Sequence, residues 1–105
     1  MTRGEIWWAD LPPPWGHRPV LLLSRNQAYA VRGLIIITPL TTRVRNIPAE
    51  VRLGLEEGLR RPSVANLDVL TTVPKDSLQE YISTLSAAKL QAVEVAIHFA
   101  LGLES

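Results

Sequence analysis

Two short stretches of this chain carry side chains that could work together on a phosphate. One is the turn Gly16-His17-Arg18-Pro19, and the other is Thr41-Thr42, whose first threonine lies twenty-three positions after the arginine. A guanidinium presents a planar fork of donors that matches phosphate oxygens, and a hydroxyl can donate and accept. Arg18 opens the apolar run Val20–Leu23, and Thr41 follows the apolar run Leu34–Ile37. Sequential strands usually lie side by side. If these two do, the start of one meets the end of the next, and the three groups form a minimal phosphate clamp. RNA needs little more, because its 2′-hydroxyl is a nucleophile already tethered to the phosphorus. The protein must stabilise the phosphorane, and one well-placed donor is worth roughly 3–4 kcal/mol. It must also move protons, for which His17 is suited by type. The same residues have plainer uses. Arg18 fits a strand-end salt bridge, and Thr41 fits a turn hydroxyl bonding its own backbone. Spacing alone favours the plainer pair.

The charge around them points the same way as the clamp. No Asp or Glu occurs between Asp10 and Glu50, while Arg18, Arg25, Arg32, Arg43 and Arg45 do, a local charge of +5 on a chain of net +1. Residues 1–61 carry nine arginines against five acids, and residues 62–105 carry two lysines against five acids. An all-arginine basic side favours bidentate phosphate recognition over diffuse attraction, although a solvated arginine-rich surface has the same composition. Trp15, on a loop stiffened by Pro12, Pro13 and Pro14, suits base stacking beside that charge. It suits equally well a lid over the end of a barrel.

Several classes of function find no support. The chain has no cysteine, so disulfides, thiol catalysis and cysteine zinc sites are out. His17 and His98 are 81 positions apart and no metal-ligand spacing is present, so no metal and no cofactor are expected. The six glycines are isolated, with no phosphate-cradling loop, and neither Ser24 nor Ser63 sits in a nucleophile elbow. The aliphatic runs are too short to span a bilayer and the N-terminus lacks an export pattern, so a cytoplasmic protein away from membranes is expected.

The elements that would position the clamp are short. Gly4–Ala9, Arg18–Ser24, Leu34–Pro39, Pro48–Leu53, Ser63–Leu70, Thr71–Pro74 and Gln79–Thr84 read as strands, with one helical turn within Asn26–Arg32. Pro39 is expected to stop the third strand, and a bulge is expected near Asn66 in the fifth. Ser86 reads as a helix N-cap, Leu85 and Leu90 as a hydrophobic staple, and Gly102 as the stop. Leu90, Val93, Ile97 and Leu101 would form the buried face of that helix. The fold class that follows is mainly β with a C-terminal α-helix, a small bent barrel in one domain over residues 1–105.

Taken in order, RGEIWWADL, GHRPVLLLS, TPLTT, SVANLD and the helix begun by LS resemble the MazF/PemK family of toxin endoribonucleases over essentially the whole chain. The resemblance implies an SH3-like barrel of the MazF/PemK/CcdB kind and a homodimer. It implies metal-independent, sequence-specific cleavage of single-stranded RNA that leaves a 2′,3′-cyclic phosphate and a 5′-hydroxyl. It also implies a cognate, MazE-like antitoxin whose disordered segment occupies the RNA groove. Carried over by position, the essential arginine is Arg18 and the essential threonine Thr41. Thr42 takes the adjoining hydroxyl position, and Asp68 matches an acid of the fifth strand. Trp15, Thr42, Arg43, Arg45 and Asn66 would contact RNA. Asn66 stands where some relatives place an arginine proposed as general acid, which leaves His17 or Asp68 to move protons. A barrel of this architecture also serves non-catalytic toxins that poison DNA gyrase by binding, and a simple RNA-binding barrel is the weaker third possibility.

Overall fold

A computed structural model describes residues 1–103 of the chain. Seven strands run β1 (Glu5–Asp10), β2 (His17–Leu22), β3 (Leu34–Thr41), β4 (Glu50–Leu53), β5 (Ser63–Asn66), β6 (Thr71–Pro74) and β7 (Leu78–Thr84). A four-residue helix, α1 (Ala28–Val31), joins β2 to β3, and α2 (Ala87–Leu101) closes the chain. The strands pair antiparallel in the order β4-β5-β3-β2-β1-β7, with β6 on β3. This is a strongly bent, SH3-like β architecture with a C-terminal helix, as the strand pattern and the resemblance both indicate. Among the described residues, no helix is long and apolar enough to cross a membrane.

β3 is the spine of the sheet. One edge pairs with β2 (Val20↔Pro39, Leu21↔Thr38, Leu22↔Ile37). The other edge changes partner, from β6 over Leu34–Ile37 to β5 at Leu40 and Thr41. Pro39 was expected to end this strand but lies inside it. It falls in the gap between the two ladders, where a residue without an N–H is tolerated. The fifth strand is shorter than expected. It ends at Asn66, whose Oδ1 accepts from Asp68 N at 3.0 Å, so a side-chain-capped turn replaces the expected bulge and Asp68 lies outside the strand.

Successive side chains of a strand project to opposite faces, and here each face has its own core. Ile6, Leu21, Leu40, Val51, Leu67 and Val93 pack on one side. Ala9, Val20, Leu22, Ile35, Ile37 and Val73 pack on the other. This is why Val20–Leu23 is unbroken aliphatic sequence: neighbours in it belong to different cores. Each fully buried aliphatic chain contributes about 1.5–3 kcal/mol. Tyr29 of α1 packs on the second core with its hydroxyl unpartnered, and burial pushes its phenol up to about 12.

α2 begins and ends as its sequence predicts. Ser86 Oγ accepts from Lys89 N at 3.2 Å, Leu85 is buried, and Gly102 sits at φ 67, where L side chains are rarely found. The expected face is largely the observed one: Val93 is fully buried, Leu90 and Ile97 pack against the first core, Ala96 joins them, and of that face only Leu101 is exposed. Steps of four residues advance about 40° around a helix, so two such steps carry Leu101 away from the sheet that covers Val93.

Candidate active site

Continuing the register between β2 and β3 by two residues beyond Val20↔Pro39 sets Arg18 opposite Thr41. Both then project to the face that carries Val20 and Leu22. They line one cleft of about 200 Å³ together with Trp15, Pro39, Arg43, Arg45, Asn66 and Val69. Continuing the register between β3 and β5 from Leu40↔Ala65 likewise sets Pro39 opposite Asn66, which brings the end of β5 to the same wall. Thr38, fully buried, donates from Oγ1 to Asn66 O at 3.1 Å and fixes that wall from beneath.

Arg18 is partly buried and is held by carbonyls. Its Nε donates to Trp15 O at 2.7 Å, and one terminal nitrogen donates to Leu40 O at 3.4 Å. A guanidinium has five N–H donors, so three remain for a ligand. The ion pairs among the described residues belong to Arg3 and His17. Arg18 is therefore oriented without being neutralised. The loop that supplies Trp15 O is itself closed, with Trp15 N donating to Pro12 O and Leu11 N to Gly16 O, both at 3.1 Å.

Thr41 Oγ1 accepts from Arg43 N at 3.1 Å. That is the turn geometry expected of a threonine at a strand end. It also leaves the hydroxyl hydrogen free to donate into the cleft. Arg43 and Arg45 come from the loop after β3, and Glu50 straps that loop: its carboxylate accepts from Arg45 N at 3.0 and 3.2 Å and from Asn46 N at 2.9 Å. Asn46, at φ 58, also accepts from the Arg52 guanidinium. The acid bonds backbone, so the two arginine side chains keep their charge. The cleft wall contains three guanidinium groups and no carboxylate, which makes it a strongly anion-attracting concavity.

Of the remaining candidates, Asp68 stands on the turn between Asn66 and Val69 of the cleft wall, exposed at its rim. His17 is on the opposite face of the sheet, opposite Asp10 in register. Its Nδ1 meets Asp10 Oδ1 at 2.7 Å, and its ring stacks on Trp8 with centroids 4.9 Å apart and planes 2° from parallel. Thr42 lines a separate cleft with Trp8, Arg60 and Arg61. Trp15 leans on the second core, as a lid over the barrel end would, and forms part of the cleft wall. The sequence offered little sign of Glu50 as a strap; the one local signal was Asn46, a residue that accepts left-handed backbone, four positions before an acid.

Comparison with known proteins finds relatives over nearly the whole chain. Residues 2–101 match the family of PemK-like, MazF-like toxins of type II toxin–antitoxin systems. The chain is 37% identical over 92 residues to a probable endoribonuclease MazF2 of Mycobacterium tuberculosis, covering 86% of this chain and 87% of the relative. It is 28% identical to the endoribonuclease MazF of Staphylococcus saprophyticus, covering 100% and 94%. Among solved structures, Mycobacterium tuberculosis toxin MazF-mt6 superposes with a TM-score of 0.88 at 33% identity, covering 96% of this chain and 99% of that one. A mycobacterial endoribonuclease in complex with its cognate antitoxin also superposes at 0.88, at 30% identity, covering 100% and 98%.

Proposed function

The chain belongs to the PemK-like, MazF-like toxin family of type II toxin–antitoxin systems, and from that premise we propose that it is a metal-independent, sequence-specific endoribonuclease acting on single-stranded RNA. The observation that carries the reading is the placement of Arg18 opposite Thr41 on one face of the sheet, in a cleft walled by arginines and free of carboxylates. The relatives named endoribonuclease, two of which are cited above, support the same activity.

In this reading the scissile phosphate sits between Arg18 and Thr41. The 2′-oxygen of the preceding ribose attacks phosphorus, and the bond from phosphorus to the 5′-oxygen breaks. The free N–H groups of Arg18 bind the charge that builds on the phosphorane oxygens, and the Thr41 hydroxyl donates a further hydrogen bond. Arg43 and Arg45 hold flanking phosphates, Asn66 offers its amide N–H groups, and Trp15 offers an aromatic surface to a base. Asp68, at the rim of the cleft, accepts the 2′-proton, and the departing 5′-oxygen takes a proton from solvent water as it leaves. The products are a 2′,3′-cyclic phosphate and a 5′-hydroxyl.

The whole chain acts as one toxin domain in the cytoplasm, as a homodimer restrained by a cognate antitoxin. Phe99 and Val95 on α2 are more than half exposed, apolar groups that a second copy would cover. An antitoxin segment rich in acidic and apolar residues would suit the cationic cleft and fold as it binds. Incubation of the protein with a long single-stranded transcript in EDTA tests the activity, with mapping of 5′-hydroxyl ends. Cleavage at a recurring short sequence, lost in Arg18→Ala, is expected. Intact RNA, cleavage abolished by EDTA, or an unimpaired Arg18→Ala protein would overturn the reading, and intact RNA with gyrase inhibited would transfer the protein to the binding toxins of this architecture.

A further inference from the structure

Thr41, the last residue of β3, and Thr42, the residue after it, line two different clefts. Thr41 stands beside Arg18, whereas Thr42 lines a cleft of about 370 Å³ with Trp8, Arg60, Arg61 and Ser63. This second cleft also has no carboxylate in its wall. The two acids nearest in sequence are engaged elsewhere. Glu57 is buried and accepts from Gly54 N at 2.6 Å, and Glu56 faces the groove beside α2.

The loop that presents the two arginines is built to hold its shape. Leu59 is rooted in the core and donates from its backbone N to Gly54 O at 3.1 Å. Ser63 Oγ donates to Arg61 O at 3.0 Å. Gly58 takes φ 81, and a Cβ there would come within 3.1 Å of Ile82. Both arginines are exposed, and neither belongs to an ion pair among the described residues. The aromatic wall is fixed too, since Trp8 carries the stacked His17 ring and Asp10 holds that ring. Two unneutralised guanidinium groups, a hydroxyl and an aromatic wall are what a nucleotide with its phosphate requires.

We propose that this cleft is a second nucleotide-binding subsite for the same RNA strand, which crosses the end of β3 over Thr41 and Thr42 and sets a flanking phosphate on Arg60 and Arg61. The proposal rests on the nuclease reading and adds the path of the substrate beyond the cleaved bond. Phosphates held at two different clefts make affinity depend on strand length.

The test uses the double variant Arg60→Ala/Arg61→Ala beside Arg25→Ala/Arg32→Ala, which removes the same charge from exposed positions outside both clefts. Each protein is titrated with a fluorescent single-stranded DNA of mixed sequence, which has no 2′-hydroxyl and stays intact. Cleavage is then compared on a long RNA and on a minimal RNA confined to the cut site. Loss of the Arg60/Arg61 pair should flatten the dependence of log affinity on log salt by about 0.7 for each phosphate contact removed. It should also shrink the kcat/KM advantage of long over minimal RNA roughly tenfold or more, mainly through KM, while the control pair leaves both near wild type. A salt slope and length advantage equal to wild type, or equal losses in the control pair, would overturn the subsite. A wild-type protein that binds the DNA but cuts no RNA would sink the nuclease reading instead, with the salt slope still deciding whether Arg60 and Arg61 contact the strand.

Discussion

His17 and Arg18 are neighbours in the chain and are treated in opposite ways by the fold. Arg18 faces the cleft, is partly buried, and is held by two backbone carbonyls. His17 faces the other side of the sheet and is held by a carboxylate and an indole. Carbonyls orient a cation and leave its charge available, whereas the Asp10 carboxylate 2.7 Å from the imidazole sets an anion beside it. The difference marks which of the two is arranged to meet an anion. Glu50 follows the same logic as Arg18's carbonyls, since it braces the arginine loop through backbone N–H groups and leaves the side chains of Arg43 and Arg45 unpaired.

The sharpest way to break this comparison is at Arg18. Arg18→Lys keeps the charge and loses the fork that reaches Trp15 O and Leu40 O together, so kcat on RNA should fall about 10²–10³-fold. Retention of more than a tenth of the rate, read in a single-turnover assay, would mean that charge alone suffices. Thr41→Val removes the donor to the phosphate and the acceptor for Arg43 N at once, and a fall of roughly 10–100-fold is expected, since one hydrogen bond to a charged group is worth about 1.5–3 kcal/mol. An unchanged rate would return Thr41 to the role of a turn residue.

Glu50→Ala should act through the loop alone. A rise in KM of about three- to tenfold with little change in kcat is expected, in line with one or two lost charge-assisted hydrogen bonds on a partly exposed loop. A collapse of kcat would place the loop in the chemistry itself. His17→Phe keeps the stack on Trp8 and deletes the ionisable ring. Cleavage should stay within about twofold of wild type and melting should shift little, because an exposed ion pair is worth about 0–1 kcal/mol. Loss of one limb of the pH–rate profile in that variant would make His17 the proton carrier and erase the contrast with its neighbour.

Much of the scaffold was legible along the chain. Period-two and all-apolar runs marked the strands, and Ser86 and Gly102 marked the ends of α2, because these features depend on residues close in sequence. Pro39 misled for the same reason. Its missing N–H is a local fact, but whether a strand can tolerate it depends on which partner lies opposite, and β3 changes partners there. At Asn66 a local bond to Asp68 N turned the chain where alternation alone suggested a bulged strand. Leu101 continued the helical face of Leu90, Val93 and Ile97, but the first core covers those three and leaves Leu101 exposed.

The site divides along the same line. Residue type and order determined that Arg18, Thr41, Arg43 and Arg45 were the groups to watch, since a run of arginines without acids and a hydroxyl at a strand end are chemical properties of the residues themselves. Only the tertiary structure decided that β2 and β3 pair in the register that sets Arg18 opposite Thr41, that His17, one step along the chain, looks the other way, and that Thr42 lines a different cleft. Register is fixed by burying two cores on two faces at once. A shift of one residue would exchange the faces and send the guanidinium to the wrong side of the sheet.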